Sequence, residues 1–200
     1  RILAAIANTV QITPDDPIFY EVYESEDESI SDSGEYENKI SKQFIPDEDG
    51  YYLVIASAEA SAYTTSYPVH VRSQLNGNAL SEASWEPHGA YWYDDYQTYF
   101  MHDIVHLEAG SENVFEMDYK SGKQGVFASI RNARATIFDV HEYYMERKTD
   151  EVLLGSTYQD IANISFDLEE AGRYLIIASG EYMSGSTRRM VYARMSIDSQ

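Results

Sequence analysis

Short runs of alternating apolar and polar residues dominate this chain, and no window repeats its apolar positions every 3.6 residues. A period of two puts successive side chains on opposite faces of a strand, so the pattern predicts an all-β, antiparallel architecture with little helix. Strand-like segments fall at 18–24, 69–75, 96–105, 113–119, 126–132, 135–140 and 143–147, with two more ending at Phe44 and running through Tyr52-Leu53-Val54-Ile55-Ala56-Ser57. Asn76-Gly77, Ala109-Gly110 and Ser121-Gly122 supply turn chemistry between them. Eighteen tyrosines suit half-buried pleated surfaces better than helices.

The chain also resembles itself. Shifted by 122 positions, residues 36–72 align without a gap to 158–194 with 13 identities, among them Phe44/Phe166, Gly50/Gly172, Tyr52/Tyr174, Ser57/Ser179, Glu59/Glu181 and Arg72/Arg194. Both copies read as a strand ending in Phe, an acidic turn closed by Gly, and a second strand, which is the pattern of a hairpin with Gly at positive φ. A period of about 122 residues therefore predicts an internally repeated β-sandwich.

That period does not fit twice into 200 residues. Arg1-Ile2-Leu3-Ala4-Ala5-Ile6 is similar to Arg134-Ala135-Thr136-Ile137-Phe138-Asp139, the strand that closes the first period. The division expected is an N-terminal strand at 1–12 available for donation, a first sandwich unit at 13–140, and a second, incomplete unit at 141–200. A half sandwich exposes strand edges and needs pairing, so residues 1–12 are expected to join a sandwich other than the one that follows them. The start at Arg1, with neither Met nor a signal-type apolar core, reads as a processed or excised piece of a longer product.

Composition narrows the function. Thirty-four Asp and Glu against 14 Lys and Arg give a formal net charge of -20, which repels a phosphate backbone, so nucleic acid is not an expected partner. Apolar stretches are only a few residues long, far short of a bilayer span, so no membrane insertion is expected. There is no cysteine and hence no disulfide, thiol nucleophile or zinc ribbon.

Three constellations invite chemistry. His102-Asp103-Ile104-Val105-His106 approaches the H-E-x-x-H zinc pattern, but on a strand the two imidazoles stand about 13 Å apart, too far to share a metal. Acidic turns, Asp47-Glu48-Asp49 above all, offer carboxylate and carbonyl oxygens of the kind calcium takes, while lacking the spaced EF-hand loop; they are the calcium candidates, and no other cofactor is expected. Trp85, Tyr91, Trp92, Tyr93, Asp94 and Asp95 form an aromatic and acidic segment suited to stacking on sugar rings or to a subunit interface, where Tyr and Trp are enriched. No nucleophile elbow or phosphate loop is present, so an enzyme is not expected.

The order of an acidic turn, Gly50-Tyr51-Tyr52-Leu53-Val54-Ile55-Ala56-Ser57, then Ile104-Val105-His106-Leu107-Glu108-Ala109-Gly110, then a last strand Ala128-Ser129-Ile130-Arg131-Asn132-Ala133-Arg134 resembles jelly rolls of the tumour-necrosis-factor and complement-globular-head type. Such modules recur in tandem in phage and viral fibre or decoration proteins and in secreted filaments. The resemblance implies a structural subunit located in a virion, outside the cell or at its surface. Its expected partners are copies of itself or other structural subunits; a carbohydrate-binding module that uses the Trp92 segment on a cell-surface glycan is the alternative.

Overall fold

A computed structural model describes residues 2–12, 19–64, 66–86, 96–140, 143–148 and 173–182, with side chains at 25–64, 66–86, 96–140 and 175–179. Twelve strands and no helix occur among them: β1 (Ile2–Ile12), β2 (Phe19–Ser25), β3 (Ser29–Ser31), β4 (Glu37–Phe44), β5 (Gly50–Ala62), β6 (Val69–Leu75), β7 (Asn78–Trp85), β8 (Gln97–Leu107), β9 (Asn113–Ser121), β10 (Ala128–Val140), β11 (Tyr143–Lys148) and β12 (Arg173–Tyr182). None of the described residues forms a helix able to cross a membrane. The chain divides into two units, residues 17–139 and residues 1–16 with 140–200.

The 17–139 unit is a two-sheet sandwich. One sheet runs β2-β10-β5-β8, with β3 also on β10, and the other runs β4-β9-β6-β7. From β4 to β10 every connection changes sheet except the β6–β7 hairpin, and with β2 these make the eight strands of a jelly roll, β3 being a short ninth. That hairpin turns at Asn76 (φ 53°) and Gly77 (φ 75°), two left-handed residues that match the twist of the paired strands.

Alternation fills the space between the sheets. Tyr52, Val54, Ala56, Ala58 and Ala60 of β5 meet Val69 and Val71 of β6 and Phe115, Met117 and Tyr119 of β9 in one buried cluster, with Ile40 and Phe44 of β4 beside them. The Tyr99 hydroxyl crosses the sandwich to Ser73 Oγ at 3.1 Å, so the one polar atom of a buried ring is partnered.

β10 carries the main irregularity. Ala128 and Ile130 face the core, and so do Ala133, Ala135 and Ile137, so the inward parity switches within the strand. Asn132, at φ 50°, sits at the switch, a left-handed kink of the β-bulge kind that Asn tolerates. The break expected between 132 and 135 is therefore a bulge inside one continuous strand.

A second expectation is corrected. The strand ending at Phe44 and the strand from Gly50 are not a hairpin: β4 pairs with β9, whereas β5 pairs with β8 and lies beside β10. Each strand has one apolar face, and opposite sheets let both faces meet in the core. The acidic turn is the crossover that spans the gap of about 10 Å between packed sheets. Gly50 opens β5 and is not among the positive-φ residues.

The other unit contains a three-stranded antiparallel sheet in the order β11-β1-β12. β1 is central, with Ile6 opposite Arg147 on one side and Ser179 on the other. Thus the first strand of the chain pairs with strands more than 130 residues further along it.

Candidate functional site

The residues singled out by sequence do not gather in one place. In the acidic crossover, Asp49 Oδ1 accepts the Ala109 N–H at 2.6 Å, the Pro46 carbonyl accepts that of Gly110 at 2.9 Å, and the Glu48 carbonyl accepts the Tyr52 hydroxyl at 2.7 Å. Asp49 thus ties two crossovers together at one end of the sandwich. Among the described residues no three His, Asp or Glu side chains converge on a common point. Trp85 packs against the core, and its Nε1–H donates to the Ala60 carbonyl at 3.3 Å. Tyr91, Trp92, Tyr93, Asp94 and Asp95 lie outside the described residues. His102 and His106 do sit on a strand, β8: His102 is buried, while His106 is exposed with its ring edge-on to Tyr51, centroids 5.1 Å apart.

The outer face of β4-β9-β6-β7 holds a polar network that sequence reading missed. Asp118 is buried and takes three donors: Asn38 Nδ2 at 3.0 Å, Arg72 Nε at 3.0 Å and Gln74 Nε2 at 2.7 Å. The Arg72 guanidinium lies over the Tyr36 ring at 3.8 Å and the Lys120 ammonium at 4.3 Å. Alternation on β6 and β9 would have placed Arg72, Gln74 and Asp118 on one face, but only once those strands were known to be neighbours.

His70 stands on the same face, its Nδ1 3.8 Å from Glu82 Oε1 and without a hydrogen-bond partner. Burial lowers its pKa and Lys120 lowers it further, while Glu82 opposes both. A histidine depressed in the folded state binds its proton more readily when unfolded, so stability falls as pH drops through the ordinary histidine range. Urea midpoints should therefore fall between about pH 7.5 and about pH 5.5, and by less in His70→Gln. An equal fall in both proteins would remove His70 from the cause.

The opposite outer face gathers polar groups from three adjacent strands. Glu59 of β5 pairs in register with Thr98 of β8. Its Oε2 accepts Arg131 Nε at 2.8 Å and Asn132 Nδ2 at 3.1 Å, both from β10. Consecutive strand residues ordinarily point to opposite faces; the Asn132 bulge turns both toward one carboxylate. The Arg131 hydrogen bond, with the Asn132 amide and against desolvation, holds the Glu59 carboxyl below its usual range. Arg131 also lies 3.7 Å over the Tyr96 ring. The Tyr96 hydroxyl, bonded to Glu28 and 2.8 Å from Ser129 Oγ, is pushed up to about 12 by burial and by Glu28. Ser57, Ala58, Glu59, Thr98, Asn132 and Arg134 line an open cleft of about 350 Å³ there.

The slot occupied by β1 is the remaining candidate, as a site of joining. β11 lies on one edge of β1 through six paired positions, from Ala5↔Lys148 to Val10↔Tyr143, and β12 runs along the other from Ile2↔Tyr182 to Ile12↔Arg173, with an irregularity between Ile2 and Ala4.

No protein-family profile matches the chain, and no curated protein does. Similar solved structures include the insecticidal delta-endotoxin Cry8Ea1 of Bacillus thuringiensis, at 8% identity over 57% of this chain with a TM-score of 0.36. Dimeric latent PorU of Porphyromonas gingivalis gives 9% over 70% with 0.38, and the Eiger TNF of S. frugiperda 11% over 70% with 0.36. The chain spans 20% of the endotoxin and 13% of PorU, against 94% of Eiger. At these scores the jelly-roll assignment rests on strand order alone.

Proposed function

We propose that this chain is a structural, non-enzymatic subunit of a virion or extracellular assembly, such as a fibre, decoration protein or filament, whose units are joined by exchange of β1. The observation that carries the reading is the order β11-β1-β12, which parallels β2-β10-β5 of the jelly roll. Adding 122 to residues 51–60 of β5 gives 173–182, the bounds of β12, and adding it to residue 25, the partner of Ala133, gives 147, the partner of Ile6. This agreement supports reading β1 as the counterpart of β10, the closing strand of a second, repeated unit. This register sets Ile6 beside Ala133, whereas the sequence alignment set it beside Asp139.

A strand so far in sequence from both its neighbours is suited to exchange. The same backbone hydrogen bonds form whether β1 comes from its own chain or from another, so concentration decides between closed monomers and linked chains. An exposed strand edge also gives affinity through main-chain bonds without a dedicated side-chain pocket. Copies of this chain are the partners in this reading.

The absence of cysteine makes the test clean. Asn8 and Ile177 are register partners across β1 and β12, at a separation that a disulfide spans. In the Asn8→Cys, Ile177→Cys variant, oxidation after refolding at high concentration should yield a ladder of covalent multimers. The same oxidation at high dilution should yield cross-linked monomer. Monomer alone under both conditions would overturn strand exchange.

A further inference from the structure

We propose that the cleft over Glu59, Thr98 and Asn132 is a binding site for a neutral sugar. It goes beyond the assembly reading and uses residues apart from the Trp92 segment.

The cleft offers the hydroxyls of Ser57 and Thr98, the carboxamide of Asn132, the guanidinium of Arg134 and the carboxylate of Glu59. A sugar carries neighbouring hydroxyls that each donate and accept, and such a mixed set satisfies both roles at once. Arg131 and Asn132 both bond Glu59 Oε2 and fix the carboxylate, leaving Oε1 to accept a hydroxyl proton in a charge-assisted hydrogen bond.

Charge selects the class. Arg131 is committed to Glu59 and to the Tyr96 ring, Arg134 stands 3.7 Å from Glu26 Oε1, and a fixed carboxylate in a chain of net charge -20 disfavours phosphate, sulfate and acidic sugars.

The test uses the full chain with D-glucose, D-galactose, D-mannose and N-acetyl-D-glucosamine, read by saturation-transfer difference NMR, which works on assembled and free protein alike. Two variants keep the fold: Thr98→Val on an exposed strand position, and Asn132→Gly, in which glycine takes the left-handed conformation freely. At least one sugar should give saturable transfer, and each variant should weaken it about tenfold, the loss expected for one polar partner, with circular dichroism unchanged. No saturable transfer from any of the four sugars, or transfer equal in parent and both variants, would overturn the site.

Discussion

Deleting residues 1–12 is expected to dissolve the three-stranded sheet and leave the 17–139 jelly roll folded. β1 is the central strand of β11-β1-β12, so its loss removes every described backbone pairing of β11 and β12 at once. An unpaired strand edge is not stable alone, and two strands with no common partner gain nothing from proximity. The described sheets of the jelly roll include no strand from that segment. Hydrogen exchange checks this: amides of β12 should exchange at the rate of unfolded chain, while those of β5, β8 and β9 keep their protection. A synthetic peptide of residues 1–12 should restore the β12 protection when added in excess, and the truncated protein should form no linked chains. Full protection of β12 after the deletion would show that β1 is dispensable to its own sheet.

Phe115→Ala should cost about 3–5 kcal/mol of jelly-roll stability. The ring is fully buried on β9, a strand flanked by β4 and β6, and is packed within the single cluster that both sheets share. Removing it forfeits the transfer of a large apolar side chain and leaves a cavity that two crossing sheets cannot close. Phe127→Ala is the control. Its ring is 49% exposed and touches Tyr63 edge-on at 6.0 Å, so the loss should stay below about 1 kcal/mol. Urea midpoints with unchanged slopes decide between them; equal losses would mean that the core does not run through β9.

Much of this architecture is legible in the sequence because alternation reports faces. The limits of β6 and the left-handed Asn76-Gly77 turn follow directly from residue type. Alternation does not report which sheet a strand joins, and for that reason β4 and β5 read as a hairpin when they are a crossover. Nor does it show a bulge: the parity switch at Asn132 looks like a gap between two strands. The polar clusters were hidden for the same reason. Glu59, Thr98 and Asn132 come from three separate strands and meet only through the order β10-β5-β8, just as Asp118 meets Arg72 and Asn38 only through β4-β9-β6. Trp85, half-buried, packs against the core cluster, as alternation leads one to expect for half of the aromatic residues.

The long separation between β1 and its partners sets a timetable for synthesis. β1 leaves the ribosome ahead of both its partners, and the last residue of β12 follows about 170 residues later, which at roughly 5–20 residues per second is a wait of about ten to thirty-five seconds. The jelly roll, whose strands all lie in between, can form within that interval. Throughout it β1 is an unpaired strand tethered to a folded body. On a polysome, neighbouring nascent chains carry the same strand at high local concentration, so the proposed exchange of β1 would be decided during translation.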